Sequence, residues 1–113
     1  MPRPSKDFYL VSTTAPNRTV ARQLVRGIVR RRLAACAHLF PAGESLYWWK
    51  GKLERAVEFT LLFKTSKKAL SPMIRALKHF HPYETPEIVA VRAADSLPAY
   101  RAWVLQETKM GKF

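Results

Sequence analysis

Apolar positions follow two different spacings along this chain. Residues 7–14 are dense in aromatic and β-branched side chains, Phe8, Tyr9, Val11 and Thr13 among them, which predicts a strand. Ala15-Pro16-Asn17 interrupts it, and Asn17 is a good helix N-cap. Over residues 18–32 the spacing lengthens. Val20, Ala21, Leu24, Val25, Ile28 and Val29 form one apolar face, while Arg18, Arg22, Arg26 and Arg30 recur every fourth residue on the polar side. Like charges four apart cost a few tenths of a kcal/mol per pair, little beside the burial of six apolar side chains. Gly27 costs about 1 kcal/mol relative to Ala in a helix, and a close packing contact would account for it.

Residues 33–40 are apolar and mostly small. Propensity favours helix, but the flanking Pro41-Ala42-Gly43 and the strand-like run beyond it predict a buried strand ending at Pro41. Residues 46–65 then read as a long hairpin turning at Gly51. A second helix is expected over 67–80, burying Leu70, Met73, Ile74, Leu77 and Phe80. Pro72 belongs either in its first turn or at the start of its regular part, with Ser71 as N-cap. Pro82 and Pro86 bias residues 81–86 away from helix. A strand at 87–92 and a last helix at about 98–108 follow, with residues 1–6 and 109–113 expected to fray. The order β-α-β-β-α-β plus a terminal helix is the split-βαβ, ferredoxin-like arrangement, an α/β (α+β) class with two helices on one face of an antiparallel sheet.

Length and composition fit this frame. A chain of 113 residues with 48% hydrophobic content makes one domain, residues 1–113, able to hold a core without staples. The single Cys36 allows no internal disulfide, and residues 1–7 lead into no long apolar region. A cytoplasmic location without a secretory leader is therefore expected. No apolar run approaches the roughly 20 residues that span a bilayer, so no membrane is expected as a partner. Twenty Lys and Arg against eight Asp and Glu give +12. That is either an electrostatic footprint for an anionic partner or a basic solvated surface.

Candidate chemistry is sparse. There is no Gly-rich phosphate loop, CxxC or HExxH. His79 and His81, with Glu84 and Glu87 beyond, make a candidate metal set. Their spacing fits better a structural turn whose side chains serve backbone groups the prolines leave unpaired. Cys36 among alanines reads as an inert core thiol rather than a nucleophile, so no enzyme is expected. Tyr47-Trp48-Trp49 is the sharpest feature. Each Trp can bury about 150–250 Å², roughly 4–6 kcal/mol as an upper bound, and side by side on a strand they point to both faces of the sheet. The terminal helix, a second subunit or a nucleic-acid base could cover them, the last with Lys50 and Lys52 on phosphate.

Taken together, Leu33-Ala34-Ala35-Cys36, Leu46-Tyr47-Trp48-Trp49-Lys50-Gly51-Lys52-Leu53-Glu54, Leu62-Phe63-Lys64-Thr65 and His81-Pro82-Tyr83-Glu84-Thr85-Pro86-Glu87 resemble, in order and spacing from about Phe8 to Thr108, the CutA divalent-cation tolerance family. The resemblance implies a ferredoxin-like fold in a stable homotrimer whose long hairpin extends onto the neighbouring subunit. It implies a role in tolerance of divalent metals, copper especially, with no assigned reaction. It also implies a regulatory function like that of the trimeric PII proteins, with an inter-subunit ligand cleft. On this basis His81, Tyr83, Glu84, Trp49 and Lys64 are the expected ligand residues, and Glu87, His79 and His81 the expected metal residues. Where some bacterial members attribute copper to a Cys, a His and a Glu, this chain has Thr13, Phe80 and Glu87. One carboxylate alone is a poor Cu(II) site, so copper binding is expected to be weak. Cys36-Ala37-His38 also departs from the more usual Cys-Val-Asn. Threefold assembly would triple the +12 charge and make a small anionic ligand the expected guest, with a basic nucleic-acid-binding module as the alternative.

Overall fold

The structure, a computed structural model, describes residues 6–109. Apart from Lys6 and Lys109, the ends expected to fray lie outside the described residues. Seven elements follow in order: β1 (Phe8–Ala15), α1 (Arg18–Arg30), β2 (Cys36–Trp49), β3 (Lys52–Ser66), α2 (Lys67–Phe80), β4 (Ile88–Arg92) and α3 (Pro98–Glu107). The four strands form one antiparallel sheet in the order β2-β3-β1-β4, the split-βαβ order expected from the sequence.

Alternation along the strands sorts their side chains between two faces. Val11 and Ala15 of β1 and Leu61 and Phe63 of β3 pack with Ala21, Leu24 and Ile28 of α1 and Met73, Ala76 and Leu77 of α2 in the main core. Phe8 points the other way and meets Tyr100 of α3 edge-on, ring centroids 6.1 Å apart. Beside it Cys36 Sγ lies 3.6 Å from the Tyr100 hydroxyl, and Val104 is fully buried. Helices α1 and α2 thus cover one face, and α3 covers one end of the other.

Local chemistry sets the element ends. Asn17 Oδ1 accepts from the Val20 N–H at 2.8 Å and starts α1. The helix stops at Arg30, two residues short of the expected end. Arg32 adopts φ 57°, and the Arg32 and Leu33 N–H groups return to Val29 O and Ile28 O, a Schellman closure. A Cβ on Gly27 would meet nothing nearer than Arg31 Nη1 at 3.5 Å, so tight packing does not account for that glycine. Ser66, not Ser71, caps α2 by accepting from the Ala69 N–H, and Pro72 lies inside the helix. Lacking an N–H, Pro72 removes the i→i−4 bond to the Lys68 carbonyl in the second turn of the helix. Phe80 is partly exposed instead of buried, with the Arg31 guanidinium 4.9 Å from its ring centre.

Pro41 does not end a strand. Residues 36–49 form one continuous β2, whose register with β3 slips between Leu39 and Ala42. Pro41 survives there because β2 is an edge strand and the slip needs no ladder donor from it. Residues 33–35 are not strand; Leu33 and Ala34 follow α1 into the core. Beyond the slip, β2 and β3 project as a ribbon closed by Lys50 (φ 51°) and Gly51 (φ 79°), the two positive φ values of a type I′ turn. The Cα radius of gyration is 14.9 Å and the extents are 51 × 26 × 25 Å, against about 13 Å for a compact chain of this length.

Candidate functional site

Three pieces of chain meet where the ribbon leaves the body: the end of β1, the segment after α2, and the facing residues of β2 and β3. Pairing of Ala15 with Phe59 and of Gly43 with Glu58 brings Glu58 beside Thr14. Tyr83 donates its hydroxyl to Glu58 Oε2 at 2.8 Å, and Thr14 Oγ1 donates to the same oxygen at 3.2 Å. Burial, and then the Glu58 carboxylate that accepts its bond, push the Tyr83 phenol well above its ordinary 10.0. It therefore remains a neutral donor at physiological pH.

His81 holds the segment in place. The Tyr83 N–H donates to its Nδ1 at 3.1 Å, so Nε2 carries the proton and donates to the Thr14 carbonyl at 2.7 Å. Lys78 Nζ donates to the Glu84 carbonyl at 2.7 Å, and Ser12 Oγ donates to Glu87 Oε2 at 3.2 Å. The His81 ring thus serves backbone groups, as the structural-turn reading expects, whereas the Tyr83 hydroxyl goes to the Glu58 carboxylate and not to backbone.

Around this frame lies a cavity of about 570 Å³. Tyr47, Trp49 and Tyr83 supply its aromatic wall, and Glu58, Glu84 and Glu87 its charge. Among the described residues of one chain no Lys or Arg lines it. Of the expected ligand residues, Tyr83, Glu84 and Trp49 come together. His81 is the buried strut behind them. Lys64 does not line this cavity within one chain: it pairs with Leu10 and Cys36, six positions along β3 from Glu58 and roughly 20 Å away. Sequence reasoning missed Glu58 and Thr14. The only signal was an acid abutting the apolar 59–63 run, and the strand register that gives it meaning is not legible in the sequence.

A resident metal does not fit one chain. Among the described residues no three His, Cys, Asp or Glu side chains converge, and both nitrogens of His81 serve the backbone. Thr13 and Phe80 offer no ligand where the family resemblance places Cys and His. Thr13 is fully buried with its hydroxyl unbonded among the described residues, and Phe80 sits under Arg31. Cys36 has the Tyr100 hydroxyl as its partner rather than an imidazole. Burial, then the bond to Cys36, push that phenol up to about 12, which removes it as a base at neutral pH. The arginine row of α1 lies far in sequence from the tryptophan ribbon, and its first member, Arg18, is spent on the Phe59 ring at 5.4 Å.

The chain matches the family model described as CutA1 divalent ion tolerance protein over residues 9–107. It is 41% identical to the Protein CutA homolog of Xenopus laevis over 80% of this chain, and 37% identical to the divalent-cation tolerance protein CutA of Escherichia coli over 84%. It spans 60% of the length of the Xenopus protein and 85% of the bacterial one. The crystal structure of CutA from Xylella fastidiosa superposes with a TM-score of 0.88 at 38% identity, covering 91% of this chain and 99% of that one. A CutA from Archaeoglobus fulgidus, described as periplasmic, gives 0.86 at 28% identity over 90% and 99% of the two chains. None of these relatives carries a nucleic-acid-binding name, and the nucleic-acid reading finds no support.

Proposed function

Since the chain belongs to the CutA1 divalent ion tolerance family, we propose that it works as a non-catalytic homotrimer in the response to divalent metal ions, with a PII-like ligand cleft where the ribbon meets the body. The observation that carries this reading is the ribbon's surface. Leu46, Trp48, Leu53 and Val57 alternate onto one side of it and are 64%, 72%, 54% and 61% exposed. The exposed Arg55–Glu44 ion pair shares this side of the ribbon, but among the described residues neither α3 nor any other element covers these apolar side chains, and exposed apolar groups beside charge mark an interaction site. A second copy of the chain is the partner that the resemblance to trimeric relatives favours.

Copper enters this reading as a weak, exchangeable ligand, with Glu87 and the exposed His79 as donors. His81 would have to release one of its backbone bonds to join them. A cytoplasmic location is likewise part of the proposal; no described helix is long and apolar enough to cross a membrane. The test is light scattering at micromolar concentration. The expected mass is three times 13.0 kDa, and a species at 13.0 kDa alone would discard the assembly. Copper titration should show weak binding that Glu87→Gln reduces; binding unchanged by that substitution would remove Glu87 as a donor.

A further inference from the structure

The cavity's lining is at odds with the rest of the surface. Three of the chain's eight acidic residues line it, and among the described residues of one chain no Lys or Arg does. The three carboxylates surround about 570 Å³ without converging on a point, because among the described residues no three metal-binding side chains come together. A bare metal ion needs its oxygens within about 2.0–2.6 Å, a demand this spread-out set does not meet. The rest of the wall is aromatic, from Tyr47, Trp49 and Tyr83. Aromatic rings attract a cation through their electron-rich faces, Trp most strongly. Trp49 already does this within the chain, holding Lys50 Nζ 5.7 Å from its ring centre.

We propose that this cavity binds a small organic ammonium ion, its charge met by Glu58, Glu84 and Glu87 and its alkyl groups by the rings of Trp49, Tyr47 and Tyr83. Glu58 is the anchor. Both of its bonds fall on Oε2, and among the described residues no donor reaches Oε1. Lys50 is held on the Trp49 ring, and the Lys78 ammonium is engaged by the Glu84 backbone carbonyl rather than its carboxylate. This inference deepens the function proposed above and rests on its reading of the cavity as a ligand site.

Titration calorimetry of the full chain with choline chloride tests it, with 3,3-dimethylbutan-1-ol as the neutral isostere and inorganic phosphate as the anion. Choline should bind saturably and the alcohol at least about tenfold more weakly. Glu58→Gln, which keeps an acceptor for Tyr83 and Thr14, should lose about tenfold, and Trp49→Leu a similar factor. Equal binding of the alcohol, phosphate competing with choline, choline binding unchanged in Glu58→Gln, or no choline binding up to about 10 mM would each overturn the inference. Light scattering on the same samples separates it from its parent. A trimer that ignores choline refutes the ligand class alone, and a monomer that binds it refutes the assembly alone.

Discussion

Thr13 carries a hydroxyl into the core where nothing answers it. It is fully buried, its Oγ1 has no hydrogen-bond partner among the described residues, and it sits on the helix-covered face of β1. An unpaired buried hydroxyl costs about 1–3 kcal/mol, so Thr13→Val, of equal shape, should raise stability by about 1 kcal/mol in urea denaturation. Tyr100 makes a second prediction at this scale. Its phenol is raised from 10.0 to about 12 in the folded state by burial and the contact with Cys36. Folding therefore favours the protonated form. The contribution is complete below the unfolded value of 10 and is lost as pH rises through the folded value. Thermal melts should lose stability between about pH 10 and 12, and Tyr100→Phe should flatten part of that decline. The His81 tautomer was not legible in the sequence. It is decided by the Tyr83 N–H on one ring nitrogen and the Thr14 carbonyl on the other, 67 positions away.

Among the elements, the ribbon depends most on a single dihedral pair. Lys50 and Gly51 both take positive φ, which matches the turn to the twist of the strands it joins. A Cβ on Gly51 would meet nothing within 4 Å, so Gly51→Ala tests backbone strain alone. It should cost about 1 kcal/mol, read as a lower denaturation midpoint with an unchanged slope. The hairpin and its turn were plain from Trp48-Trp49-Lys50-Gly51-Lys52. Its length was not. Pro41 reads as a terminator unless the strand is known to lie at an edge and to slip register, and both are properties of the sheet.

The whole molecule presents an elongated body with an aromatic ribbon at one end, and self-association should depend on that ribbon. Trp48 is 72% exposed. Burying a Trp is worth up to roughly 4–6 kcal/mol, so Trp48→Glu should give a monomer at micromolar concentration with an unchanged far-UV spectrum. A trimer that survives Trp48→Glu would place the interface elsewhere. The same substitution should leave choline binding in place, because Trp48 does not line the cavity.

What the chain alone determined is local. Two spacings of apolar residues, an Asn and a Pro-Gly punctuation produced the element order and the split-βαβ arrangement, because helix and strand periods are set within a few residues of each position. The turn at 81–86, the hairpin apex and the exposed tryptophans were equally visible there. The site needed the folded sheet. Glu58 reaches Tyr83 across 25 positions and Ser12 reaches Glu87 across 75, because antiparallel register and the order β2-β3-β1-β4 choose which distant residues share a face and a depth.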